Sequence, residues 1–520
     1  MRSTRLAAIL GIVVAVCCSC SGGPSDRPNV AVEVEHHGGR GEPTTTKPED
    51  QIPQLQAPKG DIDWRECTGA MINLFGLAPG PPGLVFDCGE FSAPIDAAGN
   101  IYGTFTVGAL RARLPQTPTD ALPLVLTSGS DRSSSGTLAA LATGPGSAIL
   151  PTRPIVAVDR RGIGNSQPIE CMAADTRRGL ADLGQFSTGE GDAADRVAEL
   201  SEAATIACKD FLQPQELAFD TAHAADDIEQ LRLIWQVDSL ALLGTGNGAR
   251  VALNYAAKYP AQVGRLILDG PEGLGLDGQT LAANRLQGAE AALTAFATRC
   301  VGLQCSLGPD PRAAVADLVG KARRGELPGV SANSLLTAIA GFLGSPRSDQ
   351  PSRVAVLADA LATAGRGDLT QLNAIVLREE ATTGSDGQFI NRCSDTLQWP
   401  TPPQVRNLQT EWAQTYPVFG VEGATSLLVC SAWPVGSGTN PPTDLKIPVL
   451  ALSTAADPVV GDAGLGPITG AIGNAGGKAS AITWQGWGHP VFAHSGCAQT
   501  AIVKYLDTGE LPENGTVCPA

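Results

Sequence analysis

Aromatic residues make up only 5% of this chain and charged residues 17%, so the 43% that are apolar dominate and a disordered chain is excluded. Cations are the scarcer sign. The 36 Lys plus Arg stand against 52 Asp plus Glu, a net charge of −16, and such a surface repels phosphate backbones. Nucleic acid is therefore not an expected partner. No apolar run reaches the roughly 20 residues that a membrane-spanning helix needs. Beyond the cysteines at 17–20 there is no C-x-x-C pair, and five histidines are few, so no metal site is expected. No nucleotide-binding loop is found either, and no cofactor is expected. What is plentiful is Gly (61) and Pro (38), which punctuate a chain of many turns. At roughly 100–200 residues per domain, 520 residues allow two to four units or one large domain with an insertion.

The start reads as an export signal, residues 1–20. Arg2 and Arg5 precede a short apolar stretch from Leu6 to Val16, followed by Cys17, Cys18, Ser19 and Cys20. Cys20 before Ser21-Gly22-Gly23 resembles a bacterial lipoprotein processing site, although Cys17 stands where Leu or Val is usual; Cys18 is the weaker acceptor. Lipidation of Cys20 would attach the protein to the outer face of the cytoplasmic membrane, the only membrane contact expected; plain cleavage would leave it secreted. Residues 21–60, rich in Pro, Thr, Gly and charge, read as a tether, with His36 and His37 solvated. The remaining ten cysteines are Cys67, Cys88, Cys171, Cys208, Cys300, Cys305, Cys393, Cys430, Cys497 and Cys518. An even number in an exported chain predicts disulfides, and pairing of chain neighbours, which closes local loops, is the expectation.

From residue 61, strand and helix signals alternate. Leu122–Leu126, Ile155–Val158, Leu240–Leu243 and Arg265–Leu268 are continuous apolar runs, and Ala222–Trp235 has helical spacing. This pattern predicts an α/β fold with a parallel sheet covered on both faces. Residues 276–440 are Ala- and Leu-rich without strand alternation, and Ile447–Leu452 and Ala481–Trp484 restore it. The expected plan is an α/β core over 61–275 and 441–520 with a helical cap, 276–440, inserted.

Three features follow presumed strands: Gly244-Thr245-Gly246-Asn247-Gly248, then Asp457, then His489. Parallel sheets place catalysts at the carboxyl ends of their strands, and elbow, acid, His is the chain order of α/β-hydrolases. With Asp159-Arg160-Arg161-Gly162-Ile163-Gly164-Asn165-Ser166, Leu268-Asp269-Gly270, Cys393-Ser394-Asp395 and Cys430-Ser431-Ala432-Trp433-Pro434, the chain resembles the exported actinobacterial tripeptidyl-aminopeptidase-like serine hydrolases, relatives of the proline iminopeptidases. The resemblance covers about residues 60–520. It implies an α/β-hydrolase fold with a cap, and a Ser nucleophile with His489 as base and Asp457 as the acid that orients it.

Two departures oppose that chemistry. The family elbow is G-x-S-x-G, and the nucleophile position falls on Gly246, which has no oxygen. The family's Gly-rich oxyanion segment here reads Ser128-Gly129-Ser130-Asp131-Arg132-Ser133-Ser134-Ser135-Gly136, and an Asp beside a nascent oxyanion is unfavourable unless Arg132 pairs with it. Thr245 or a serine of this loop is a displaced alternative. Asp457 also fits a turn cap before Pro458, His489 a packed loop histidine, and His494 competes for the base role. Ser130, Asp131, Asn247 and Asp395 are the candidate ligand-binding residues, Asp395 for a peptide's free amine. Two functions follow. One is a catalytically impaired relative binding a peptide, a small ester or amide, or an envelope partner in the cap cleft. The other is an active peptidase or esterase with an unrecognised nucleophile.

Overall fold

The computed structural model describes residues 52–188, 191–346, 349–395, 398–434 and 441–520. Cys20, His36 and His37 lie outside them.

Ten strands form one sheet: β1 (Arg65–Glu66), β2 (Val85–Pro94), β3 (Thr104–Arg113), β4 (Leu124–Thr127), β5 (Ile155–Val158), β6 (Leu240–Thr245), β7 (Val263–Asp269), β8 (Pro448–Ser453), β9 (Lys478–Trp484) and β10 (Thr516–Cys518). Their order is β1-β2-β3-β5-β4-β6-β7-β8-β9-β10. All pairs from β5 to β10 are parallel. The antiparallel pairs of β1, β2 and β3 make the other edge. Every residue of β4, β5, β6 and β7 is buried, which is why these strands read as unbroken apolar runs.

Helices Ser134–Ala142 and Gly496–Thr508 cover one face with Leu138, Ile502 and Tyr505. Helices Thr221–Trp235, Gly248–Lys258 and Leu465–Asn474 cover the other with Ile228, Tyr255 and Ile468. The chain leaves β4 for β5 on one side and then places β6 on the other, so winding reverses at β4. The crevice at the carboxyl ends of β4 and β6 is the position where open α/β sheets bind ligands.

Between β7 and β8 runs a succession of helices from Gly278–Gly302 to Gly420–Ser426. They bury a separate apolar core that includes Phe296, Ile339, Leu357 and Trp412. This layer is larger than the sequence predicts. Helices Ala174–Ala181 and Ala193–Leu212, expected in the α/β core, place Leu180, Val197, Ala204 and Leu212 in the same apolar cluster. Their apolar faces have helical spacing whichever body they join, so periodicity did not assign them.

The ten cysteines pair in chain order: Cys67–Cys88, Cys171–Cys208, Cys300–Cys305, Cys393–Cys430 and Cys497–Cys518. Among the described residues no helix is long and apolar enough to cross a membrane.

Candidate active site

The elbow forms where β6 turns into helix Gly248–Lys258. A Cβ at Gly248 would fall 1.9 Å from the Thr127 carbonyl oxygen, so only glycine lets the helix start this close to β4. Gly246 has φ +56°, in the left-handed region where a side chain is strained. Its N–H donates to the Asp269 carbonyl at 3.0 Å. The strand–turn–helix shape of a nucleophile elbow is present with no oxygen at its tip.

The acid and base meet there. His489 Nδ1 lies 2.7 Å from Asp457 Oδ2, and both side chains are buried. The other Asp457 oxygen accepts the N–H groups of Val459 and Val460, so this carboxylate caps its turn and holds the imidazole at once. Asp269 accepts the N–H groups of Val491 and Phe492 and fixes the loop behind the histidine; burial pushes its pKa up to about 6. Burial opposes a charge on His489, but Asp457 outweighs it and raises the imidazole above its ordinary value. A Cβ at residue 246 would stand 3.2 Å from His489 Nε2. The base thus faces the place where a nucleophile would project.

Asp131 fills that place. Its Oδ2 would lie 2.6 Å from the Cβ and accepts the Asn247 N–H at 2.7 Å. In α/β-hydrolases the N–H after the nucleophile is an oxyanion donor. The cation that meets Asp131 is not the expected Arg132, which pairs with Glu379 at 2.6 Å. It is Arg285, from helix Gly278–Gly302, at 3.2 Å from Asp131 Oδ1 and 2.7 Å from Glu272 Oε1. Glu272 Oε2 also meets Arg250 at 3.2 Å and accepts from Asn247 Nδ2 at 3.0 Å. Burial raises the Asp131 pKa. Burial also opposes the Glu272 charge, yet Arg285 and Arg250 hold its pKa down at about 2.

The other predicted residues have different partners. Asn247 Oδ1 accepts from the Ser130 N–H at 2.9 Å and from Arg160 at 3.2 Å, so Ser130 and Asn247 build the loop's floor. Asp395 does not offer a free carboxylate to an amine. Arg160 lies 2.6 Å from its Oδ2, Thr221 donates to its Oδ1 at 2.6 Å, and the residue is buried. Thr245 and Ser128 hydroxyls bond each other at 3.0 Å, and Ser133 caps helix Ser134–Ala142. His494 stacks on Trp484 and burial lowers its pKa to about 4, a packing residue and not a base. Asp159 accepts the Ser135 and Asn165 N–H groups, and Arg161 pairs with Asp227, a structural network around this turn.

A cavity of about 540 Å³ lies between the sheet ends and the helical layer. Asp131, Asn247, Arg285, Glu272 and Asp395 line it; Gly246 and His489 do not. Glu272, Arg250, Arg285 and Arg392 were not foreseen as site residues. Glu272 carried a usable signal, standing three residues past the end of β7. Arg285 and Arg392 sit on cap helices, where nothing local in the sequence marks them.

Sheet, elbow and His–Asp pair define an α/β-hydrolase. Residues 146–294, which contain the elbow, match the family described as alpha/beta hydrolase fold, and residues 416–518, which contain Asp457 and His489, match the family described as TAP-like protein. The fold is that of the α/β-hydrolases, and the C-terminal part of the chain, residues 416–518, is similar to TAP-like proteins. It is 25% identical over 398 residues to serine protease Hip1 of Mycobacterium tuberculosis (strain H37Rv) and of Mycobacterium bovis, an alignment spanning 70% of this chain and 74% of each relative. Solved structures similar to it include proline iminopeptidase of Mycobacterium smegmatis (14% identity, TM-score 0.30, 81% of this chain and 93% of that one). Another is esterase RhEst1 of Rhodococcus sp. ECU1013 (16%, TM-score 0.34, 81% and 98%).

Proposed function

We propose that this protein is a catalytically impaired α/β-hydrolase, exported to the cell envelope, that binds a peptide-type ligand in the cleft between sheet and cap. The observation that carries the reading is the carboxylate of Asp131 on the Asn247 N–H beside a nucleophile position that holds only glycine. Acyl transfer needs an activated oxygen and an open oxyanion site, and both requirements fail at this point. Similarity to a serine protease supports peptides as the ligand class. Five disulfides support an oxidising compartment, and lipidation of Cys20 would supply the anchor.

The intact His489–Asp457 pair favours the second reading, an active peptidase or esterase with another nucleophile. Hydrolysis of fluorogenic tripeptide and aminoacyl substrates separates the two. Wild type is expected to be silent. Gly246→Ser alone is expected to stay silent, because its Cβ meets the Asp131 carboxylate. Gly246→Ser with Asp131→Gly is expected to gain turnover that His489→Ala removes. Wild-type turnover abolished by His489→Ala would sink the binding reading.

A further inference from the structure

The cavity wall carries more hydrogen-bond donors than its own acceptors use. Arg132, Arg177, Arg250 and Arg285 each meet a carboxylate there. Arg392, on helix Asp386–Ser394, meets none: among the described residues it has no hydrogen bond or ion pair, and its Nε is buried. Burial, with Arg285 nearby, lowers its pKa. Two further buried donors on the same wall are without partners among the described residues, Arg285 Nε and Trp399 Nε1. No buried side-chain oxygen without a partner lines the cavity, among the described residues.

The lining is otherwise nearly balanced in charge, with six arginines and seven carboxylates, so what sets Arg392 apart is a guanidinium that none of those carboxylates meets. A half-buried guanidinium whose Nε is buried without a partner is unfavourable until an acceptor arrives. The volume, about 540 Å³, falls in the range of roughly 300–1,000 Å³ typical of small-ligand sites. Leu286, Phe389 and Phe419 supply apolar wall beside the donors.

We infer that Arg392 anchors the free C-terminal carboxylate of a short peptide in this cavity, with Trp399 and Arg285 donating to its carboxylate or carbonyl oxygens. The inference rests on the binding reading above and names its ligand end. It exchanges the expected amine-binding Asp395, already held by Arg160, for a cation that has no internal partner.

Isothermal titration of the full chain with tri-alanine, tri-alanine amide and octanoate tests it. Tri-alanine is expected to bind, and the amide to bind roughly ten-fold more weakly or less, as loss of a charge-assisted hydrogen bond implies. Arg392→Gln is expected to erase the preference for the acid while leaving the melting temperature unchanged or higher; Arg392→Lys is expected to keep part of the preference. Equal affinity for acid and amide would overturn the carboxylate inference and leave the binding reading standing. Octanoate binding as tightly as tri-alanine would overturn the peptide assignment. A lowered melting temperature in Arg392→Gln with unchanged affinity would make Arg392 structural. Silence with every probe would overturn both readings.

Discussion

Gly246 and Asp131 are complementary at the level of single atoms. The carboxylate oxygen sits 2.6 Å from where a Cβ would be, a distance that no real Cβ tolerates without movement. Asp131→Gly should therefore open the elbow, and a Ser at 246 should become tolerable only in that background. The same scale yields a pH prediction. The His489 pKa is raised on folding, so its pairing with Asp457 stabilises most fully below the unfolded value of about 6.5. That stabilisation is lost as pH rises through the folded value. The gap in melting temperature between wild type and His489→Ala is expected to be widest below pH 6.5 and to narrow above it. A constant gap across pH would mean that the imidazole contributes packing alone. Asp457, His489 and the vacant elbow were legible because each follows a strand at a fixed place in chain order. Asp131 was legible as an anomaly, but its cation was not. Sequence neighbourhood suggested Arg132, whereas the pairing residue, Arg285, lies 154 positions away on a helix whose placement no local pattern encodes.

Elements read unevenly for a similar reason. The central strands β4 to β7 announced themselves because burial on both faces selects apolar residues throughout. Strands β2 and β3 at the antiparallel edge mix exposed and buried positions, and were not picked out. Helices Ala174–Ala181 and Ala193–Leu212 lie in the segment expected as α/β core yet pack into the apolar cluster of the cap helices, as their apolar stripe is silent about its partner. The Cys171–Cys208 bond ties the start of this excursion to its second helix across 37 residues. Closing a loop of that length stabilises by roughly 4 kcal/mol in the chain-entropy account. Replacing both cysteines with serine is expected to lower stability by about 2–5 kcal/mol in urea denaturation. A loss under 1 kcal/mol would show that packing of the helices alone holds the segment.

At the scale of the whole molecule, the helical layer and the sheet are joined by more than one connection. The apolar cluster of the layer takes in Phe105 from β3 and Trp487 from the loop before His489. His489 itself donates its backbone N–H to the carbonyl of Gly344, the last residue of helix Ala332–Gly344. Layer and site are thereby coupled, and urea transitions followed by tryptophan fluorescence and far-ultraviolet circular dichroism are expected to coincide. Two separated transitions would mean that the layer unfolds independently of the sheet. The Asp131 carboxylate on the Asn247 N–H has a further consequence. A carboxylate beside the base is what a completed hydrolysis leaves behind, so the chain carries a product mimic as one of its own side chains. On the binding reading, catalysis would require two substitutions, of which neither alone confers an advantage: a serine has no room while the aspartate remains, and removing the aspartate exposes an elbow with nothing on it. On that reading the pair would act as a ratchet, holding the lineage on the side of recognition.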